Sequence, residues 1–299
     1  MRVTMNTMYD QINANLFRLT DRIYKTNASI SSGKIYRTPS DEPVALVHAL
    51  GVRSDMAATL QYQRNISYAK GWTYATESAL SQVQDRLLRA KELAIQGAND
   101  TLTASDRRAI AAEVERIQEE VVALGNTSFG GRYIFGGTRT KGYGPGKAPL
   151  VLDRDGRVTY HGNREGISVE TAPGIREKIN LDGDDALVQG GVFTSLDLLR
   201  DALEADSQSG IQTAIGDIDR AIGHVSDRIA VMGAKANSIE NKEAMAEDLE
   251  ITGREHLSDI EDADLLEAVS DLKAQETGYQ AALSAASRVM SMSLVDYLR

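Results

Sequence analysis

His48, His161, His224 and His256 are the imidazoles of the chain, and no two stand three to five residues apart, so the ordinary spacing of a zinc site is missing. Cysteine is absent, which removes disulfides, thiolate nucleophiles and Cys-ligated metals together. The stretch GYGPGKAPL is the best candidate for a phosphate-cradling loop. A Walker loop, however, needs a glycine five positions before Gly146, where Lys141 stands, and Ala148 occupies the place of the magnesium-binding hydroxyl. It reads as a surface turn. Calcium could be sought at Asp153 and Asp155 in LDRDGR, or at Asp182, Asp184 and Asp185 in NLDGDD. Neither run continues to the bidentate glutamate of an EF-hand loop, and Asp-Gly pairs are also favoured turns. In SDIEDADLLEAV, Ser258 and Glu261 have capping-box spacing, and Asp259, Asp262 and Asp264 would sit at the positive end of the helix so begun. The sequons at Asn27, Asn65, Asn99 and Asn126 fall in or beside helical stretches and are expected to be chance matches. No acid–base pair, nucleophile or cofactor loop emerges, so neither an enzyme nor a cofactor or metal site is expected.

The chemistry that does emerge is association. Tyr279 to Leu298, YQAALSAASRVMSMSLVDYL, carries two charges, Arg288 and Asp296, among alanines, serines and large apolar residues. A helix apolar nearly all round must be buried all round, which one partner helix cannot achieve. At the other end Met5, Tyr9, Ile12, Leu16, Leu19, Ile23, Thr26 and Ile30 follow steps of four and three, with Thr26 the one polar member. The corresponding stripe near the C-terminus is Leu265, Val269, Leu272, Tyr279, Leu283, Ala286, Met290 and Tyr297, with Glu276 and Ser293 in register. Residues 1–40 hold six basic and two acidic side chains, and residues 247–299 four basic and twelve acidic, so opposite charges favour pairing of the two ends.

The elements that present these stripes follow from punctuation. Gly33 suits the left-handed residue after the first helix, and Thr38 is pushed toward an extended conformation by Pro39. A second helix should start near Ser40 or Asp41, either of which can cap it, with Pro43 tolerated in the first turn. Within it Ile66, Ala69, Leu80, Val83, Leu87, Ala90 and Ala94 form a stripe, with Thr73 and Thr76 in register. GANDTLTASD breaks that helix, Thr103 and Asp106 can box the next, and Ile110, Val114, Ile117, Val121 and Leu124 line it up to Gly125. A glycine-dense segment with short β-branched runs then predicts a small β domain of four to six strands. Ile215, Ile218, Ile222, Val225, Ile229, Met232, Ala236 and Ile239 return the helical period. The expected class is mainly α with a small β insert: an elongated antiparallel helical bundle or coiled coil formed by the two ends, with the β part in mid-chain. Its expected divisions are residues 1–37 with 258–299, residues 38–137 with 193–257, and residues 138–192.

The net charge of -10 repels phosphate backbones and anionic membranes, so nucleic acid is not an expected partner. No apolar run approaches the roughly 20 residues of a membrane span, and the opening MRVTMNTMYDQINANLF has no apolar core for a cleaved signal.

The order of these segments resembles that of the bacterial flagellin superfamily. The carrying stretches are ISSGKIYRTPSDEPVAL, RAKELAIQGANDTLTASDRRAIAAEVERIQEEVVALGNTSFGGRYIFGGT from Arg89 to Thr138, and LSDIEDADLLEAVSDLKAQETGYQAAL from Leu257 to Leu283. MRVTMNTMY, GRYIFGGT and VTYHGNREGISVETAPGIREKINLDGDD are similar to the branch that lies at the junction of hook and filament. The resemblance implies a structural protein that self-associates in a helical or ring assembly, beside a neighbouring hook-associated protein and flagellin. It also implies uncleaved export through the flagellar type III apparatus to an extracellular position on the flagellum. A cytoplasmic export chaperone would then bind the last helix, at Leu283, Val289, Met290 and Leu294. Assembly contacts are expected at Met5, Tyr9, Ile12, Leu16, Leu19 and Ile23, and at Leu272, Tyr279, Leu283, Met290, Leu294 and Leu298. Gly33, Pro39, Asp41 and Pro43 would form the break between the terminal and inner helices. A short filament flagellin and a cytosolic coiled-coil scaffold share these stripes and stay open as alternatives.

Overall fold

Long runs with an apolar residue every three or four positions and no internal proline make helices the dominant element. The computed structural model describes residues 5–36, 38, 40–144, 148–153 and 156–297, and for residues 5, 6, 8 and 289–297 it describes the backbone. The order is α1 (Met5–Ser32), α2 (Pro43–Gly97), α3 (Ala104–Gly125), β1 (Ser128–Phe129), β2 (Arg132–Tyr133), β3 (Leu150–Leu152), β4 (Val158–Tyr160), β5 (Ser168–Ala172), β6 (Ile175–Lys178), a π-helical turn over Asp184–Val188, α4 (Val192–Glu204), α5 (Gln208–Glu261) and α6 (Leu265–Tyr297). The fold is mainly α with a small mid-chain β insert. It divides into two compact units, a central one over Thr59–Asp248 and a terminal one combining Met1–Ala58 with Leu249–Arg299.

In the central unit the α2 stripe is sealed. Ile66, Ala69, Thr73, Thr76, Leu80, Val83, Leu87, Ala90 and Ala94 all have no solvent exposure, and the two threonines satisfy their hydroxyls on Ala69 O and Trp72 O. Polar contacts rim the seam: Lys70 pairs with Glu243 at 2.6 Å, Gln84 donates to Ser226 at 2.6 Å and Lys91 pairs with Asp219 at 2.7 Å, which fixes α2 and α5 as antiparallel neighbours. The box expected at Thr103 and Asp106 opens α3: the Thr103 hydroxyl accepts from the Asp106 N–H and the Asp106 carboxylate from the Thr103 N–H. Arg107, buried, donates to the carbonyls of Gly97 (2.9 Å) and Asn99 (3.0 Å) and pairs with Asp206, tying the end of α2 to the α4–α5 turn. A cation there also answers the unpaired carbonyls of a helix C-terminus.

The six strands form three separate antiparallel pairs, β1–β2, β3–β4 and β5–β6. They share the helices' core: Ile134, Phe135, Leu150, Ile179 and Leu181 belong to one apolar cluster with the α2, α3 and α5 stripes. Phe129 of β1 packs with Tyr68 and Trp72 at centroid distances of 5.9 and 6.3 Å, and Gly71 leaves it room, since a Cβ there would lie 2.5 Å from the ring. Two sequon asparagines are used inside the fold. Asn126 exchanges both amide bonds with the Leu150 backbone, and Asn65 donates to Glu170 O.

Two sequence expectations need correction. The second helix begins at Pro43, and its first carbonyl acceptor is Glu42, whose C=O takes the Leu46 N–H. The Asp41 carboxylate, two residues before it, turns back to accept from the Thr38 N–H at 3.0 Å. Ser258 and Glu261 likewise do not open a helix. With no breaker to stop it earlier, α5 runs through Ser258 and ends at Glu261, and α6 is started by Asp264, whose Oδ1 accepts from the N–H groups of Leu266 (2.9 Å) and Glu267 (3.2 Å). The acidic run at 182–185 serves the π-helical turn: Asp182 accepts from the Asp185 N–H, Asp184 pairs with Arg164 at 2.7 Å and Asp185 with Arg228 at 3.3 Å. Among the described residues no group of three or more side chains is placed to hold a metal ion, and no helix is long and apolar enough to cross a membrane.

Candidate assembly interface

In the terminal unit α1 and α6 pack against each other as an antiparallel pair. Their direction is fixed at one end by the bridge between Lys34 and Asp262 and further along by the Thr26 hydroxyl, which donates to Gln275 Oε1 at 3.2 Å. On α1 the positions expected to line the seam, Ile12, Leu16, Leu19, Ile23, Thr26 and Ile30, are all half-buried, and Tyr9 stands 48% exposed. None of them is sealed. The α6 positions that lose solvent are Ala268, Leu272, Gln275, Tyr279, Ala282 and Ala286, spaced four and three, with Glu276 beside Gln275. This agrees with the expected stripe at Leu272, Glu276, Tyr279 and Ala286 and departs from it elsewhere. Leu265, Val269 and Leu283 lie off the seam, at 50%, 52% and 43% exposure. The small side chains of Ala268, Ala282 and Ala286 alternate with Leu272 and Tyr279 along the half-buried side of α6 and suit a close approach of α1.

The pair therefore has more apolar surface than it covers. Phe17 and Tyr24 on α1 are 76% and 68% exposed, and Leu266 at the start of α6 is 86% exposed. Sequence reasoning did not single out Phe17, Tyr24 or Gln275, because they sit outside or interrupt the strict stripe. Among the described residues the terminal unit buries two apolar side chains, Ala49 and Ala286. The side chains of Met5, Val289, Met290 and Leu294 lie outside the description, as do Pro39 and Leu298 altogether.

The break between α1 and α2 is held by polar contacts. Gly33 takes φ +69°, as expected of the residue after a helix, and its N–H donates to Ser29 O at 2.8 Å. Ile35 N–H then donates to Glu261 O (2.7 Å) and Ala263 N–H to Gly33 O (2.9 Å). Glu261 is buried at 4% exposure, and its carboxylate takes Arg53 at 2.7 Å and Lys34 at 3.2 Å, while Lys34 also reaches Asp262 at 2.6 Å. The paired Lys34 holds the Asp262 carboxyl below the usual carboxylate range, and Ser258 adds to this. Beside Tyr24, Ile35 and Tyr36 the α1–loop surface leaves a groove of about 660 Å³.

Comparison with known proteins places this architecture. Residues 3–140 match the bacterial flagellin N-terminal helical region and residues 215–298 the bacterial flagellin C-terminal helical region. The flagellar hook-associated protein 3 of Escherichia coli is 26% identical over 320 aligned positions, covering 98% of each chain. That of Salmonella typhimurium is 24% identical and covers 100% of each. A solved structure of a Vibrio parahaemolyticus protein assigned to the flagellar hook-associated proteins superposes with a TM-score of 0.67 at 23% identity, over 74% of this chain and 100% of that one. Matched at both helical ends by the flagellin regions and from end to end by hook-associated relatives, the chain belongs to the flagellin superfamily.

Proposed function

We propose that this chain is a structural subunit of the bacterial flagellum that joins the hook side to the filament. The observation that carries it is the unsatisfied apolar surface of the α1–α6 pair, set in a chain whose full-length relatives are hook-associated proteins. Copies of the chain assemble in a ring or helix, and neighbouring copies cover the faces that one intramolecular partner leaves open. Residues 1–37 and 258–299 form the inner tube, residues 38–137 and 193–257 the bundle around it, and residues 138–192 the outermost part. Met5, Tyr9, Ile12, Leu16, Leu19 and Ile23 meet Leu272, Tyr279, Leu283, Met290, Leu294 and Leu298 in that tube. Gly33, Pro39, Asp41 and Pro43 set the break between tube and bundle. Burial in the tube contributes roughly 25 cal/mol per Å² of apolar area, offset by the entropy of ordering the ends.

The subunit is not an enzyme and uses no cofactor; its action is mechanical. Its axial neighbours are another hook-associated protein and flagellin. Before assembly it leaves the cytoplasm through the type III export apparatus without signal cleavage, held by a chaperone on Leu283, Val289, Met290 and Leu294. The test is a deletion strain. Intact hooks that carry no filament, with unpolymerised flagellin released to the medium, are the expected phenotype. Cells that secrete no free flagellin, with the hook junction complete, would instead identify this chain as the filament subunit. A protein found only in the cytoplasm of wild-type cells would favour a scaffold of another kind.

A further inference from the structure

A row of cations on α5 faces the β insert. Arg228, Lys235 and Lys242 stand seven residues apart, two helical turns each, so they share one side of the helix. The outer two are answered by carboxylates from mid-chain, Arg228 by Asp185 of the π-helical turn at 3.3 Å and Lys242 by Glu177 of β6. The middle one is not. Among the described residues Lys235 makes neither a hydrogen bond nor an ion pair, although its side chain is half-buried. Lys70, Lys91 and Lys242 are half-buried too, and each of them has a carboxylate partner, in Glu243, Asp219 and Glu177.

The surroundings of Lys235 work against its ammonium form. Burial disfavours the charge, Lys178 of β6 adds a like charge, and Glu177, already engaged by Lys242, offsets them only in part, so the Lys235 amine lies below its ordinary pKa. Lys178 has a fixed place: its stem lies over Gly166, where a Cβ would come within 2.9 Å of the Lys178 Cδ. A half-buried primary amine that water still reaches, and that no carboxylate holds as ammonium, is a nucleophile. We infer that Lys235 is an acylation site, the lysine of the central unit that takes an acyl group from an activated donor of the acyl phosphate class. The Nζ lone pair attacks the acyl carbon and an N–C bond forms. The C–O bond to phosphate breaks, phosphate leaves with the bonding electrons, and the excess proton on nitrogen passes to water. The product is a neutral amide, so the charge that Lys178 opposes is removed. Because Lys235 lies in the central unit, its reactivity goes beyond the proposed function and does not depend on it.

The experiment is brief treatment of the full-length protein, free and dilute, with acetyl phosphate at mildly alkaline pH, followed by peptide mass spectrometry of each lysine. Lys235 is expected to gain acetyl about tenfold faster than Lys70, Lys91 and Lys242, and its rate should level off at a lower pH than that of Lys70, whose pKa Glu243 raises. Lys178→Met removes the like charge and should slow acetylation of Lys235 about threefold, whereas Glu177→Gln removes the opposite charge and should speed it about threefold. Lys70 should keep its wild-type rate in both variants, which separates a charge effect from loosening of the fold. Acetylation of Lys235 no faster than that of the three paired lysines would overturn the inference. A Lys235 rate unchanged in both variants would overturn it too, as would an equal rise at Lys70 under Glu177→Gln. Should either variant fail to fold, the wild-type rates and their pH profiles decide alone.

Discussion

The α2 stripe from Ile66 to Ala94 and the α1 stripe from Ile12 to Ile30 have the same three–four spacing and end in opposite states. Every position of the first is sealed, while every position of the second is half open. The difference lies in the neighbours. Around α2 stand α5, α3 and the β1–β2 hairpin, whose Phe129 closes over Gly71 and Trp72. Against α1 stands α6, with the Thr26 hydroxyl donating to Gln275 across the seam. A helix stripe says which face is to be buried, and the number of elements beside it says whether burial is finished within the chain. In the central unit it is finished. In the terminal unit it is not, and the proposed assembly would finish it with other copies.

The largest expected effect is a contrast in amide exchange. In the free subunit, residues 66–94 and 211–239 should exchange at least about a thousandfold more slowly than residues 9–32 and 265–286, because local opening costs little where few apolar contacts are lost. Equal protection of the two sets would show a complete intramolecular core at the ends and would end the comparison. Next in size is a pair of truncations. Leu80→Ala should cost the central unit about 2–5 kcal/mol in denaturant unfolding, as expected of a sealed core position. Leu272→Ala, at a half-buried position, should cost less than about 1 kcal/mol in the same measurement, yet lower incorporation into the flagellar axis under the proposed assembly.

How much of this was legible in the sequence depends on what each pattern encodes. The α2, α3 and α5 stripes, the box at Thr103 and Asp106 and the left-handed Gly33 are local signals, and the structure repeats them. The α6 seam was legible in part: Leu272, Glu276, Tyr279 and Ala286 lose solvent as their spacing predicts, whereas Leu265, Val269 and Leu283, chosen for their size, stay exposed while the small Ala268 and Ala282 are half-buried. Glu261 was misread for a related reason. Ser-x-x-Glu spacing is the same whether a helix starts there or passes through, and only Lys34 and Arg53, more than 200 residues away in sequence, show which applies. The three β pairs read correctly as strands, but nothing local told that Ile134, Phe135 and Leu150 would join the helical core instead of forming their own.

Leu283→Asp separates folding from assembly more finely. At 43% exposure and off the α1 seam, the substitution should change denaturant unfolding of the free subunit by no more than about 0.5 kcal/mol. Attachment to the axis should nevertheless be blocked, because a carboxylate buried without a partner between subunits is costly. Normal motility in that variant would remove Leu283 from the interface and leave the seam residues Leu272 and Tyr279 to carry it.

The smallest effects come from two carboxylates, one in each unit. The hydroxyl and N–H of Thr103 hold Asp106 below its ordinary value of 3.8, and Lys34, with help from Ser258, does the same for Asp262. A carboxyl whose folded pKa is depressed contributes stability above the unfolded value, and that contribution is lost as pH falls through the lowered folded value. Asp106→Asn should therefore lower the unfolding midpoint of the central unit at neutral pH, with the gap to wild type closing as pH drops below 3.8. Asp262→Asn should leave that midpoint alone and instead speed exchange in residues 9–32 and 265–286, again with the gap closing in acid. A shift of the central midpoint by Asp262→Asn would mean that the two units unfold as one. The sealed and the open stripe would then belong to a single cooperative body, and the polar contacts at residues 33–36 and 261–263 would stabilise all of it.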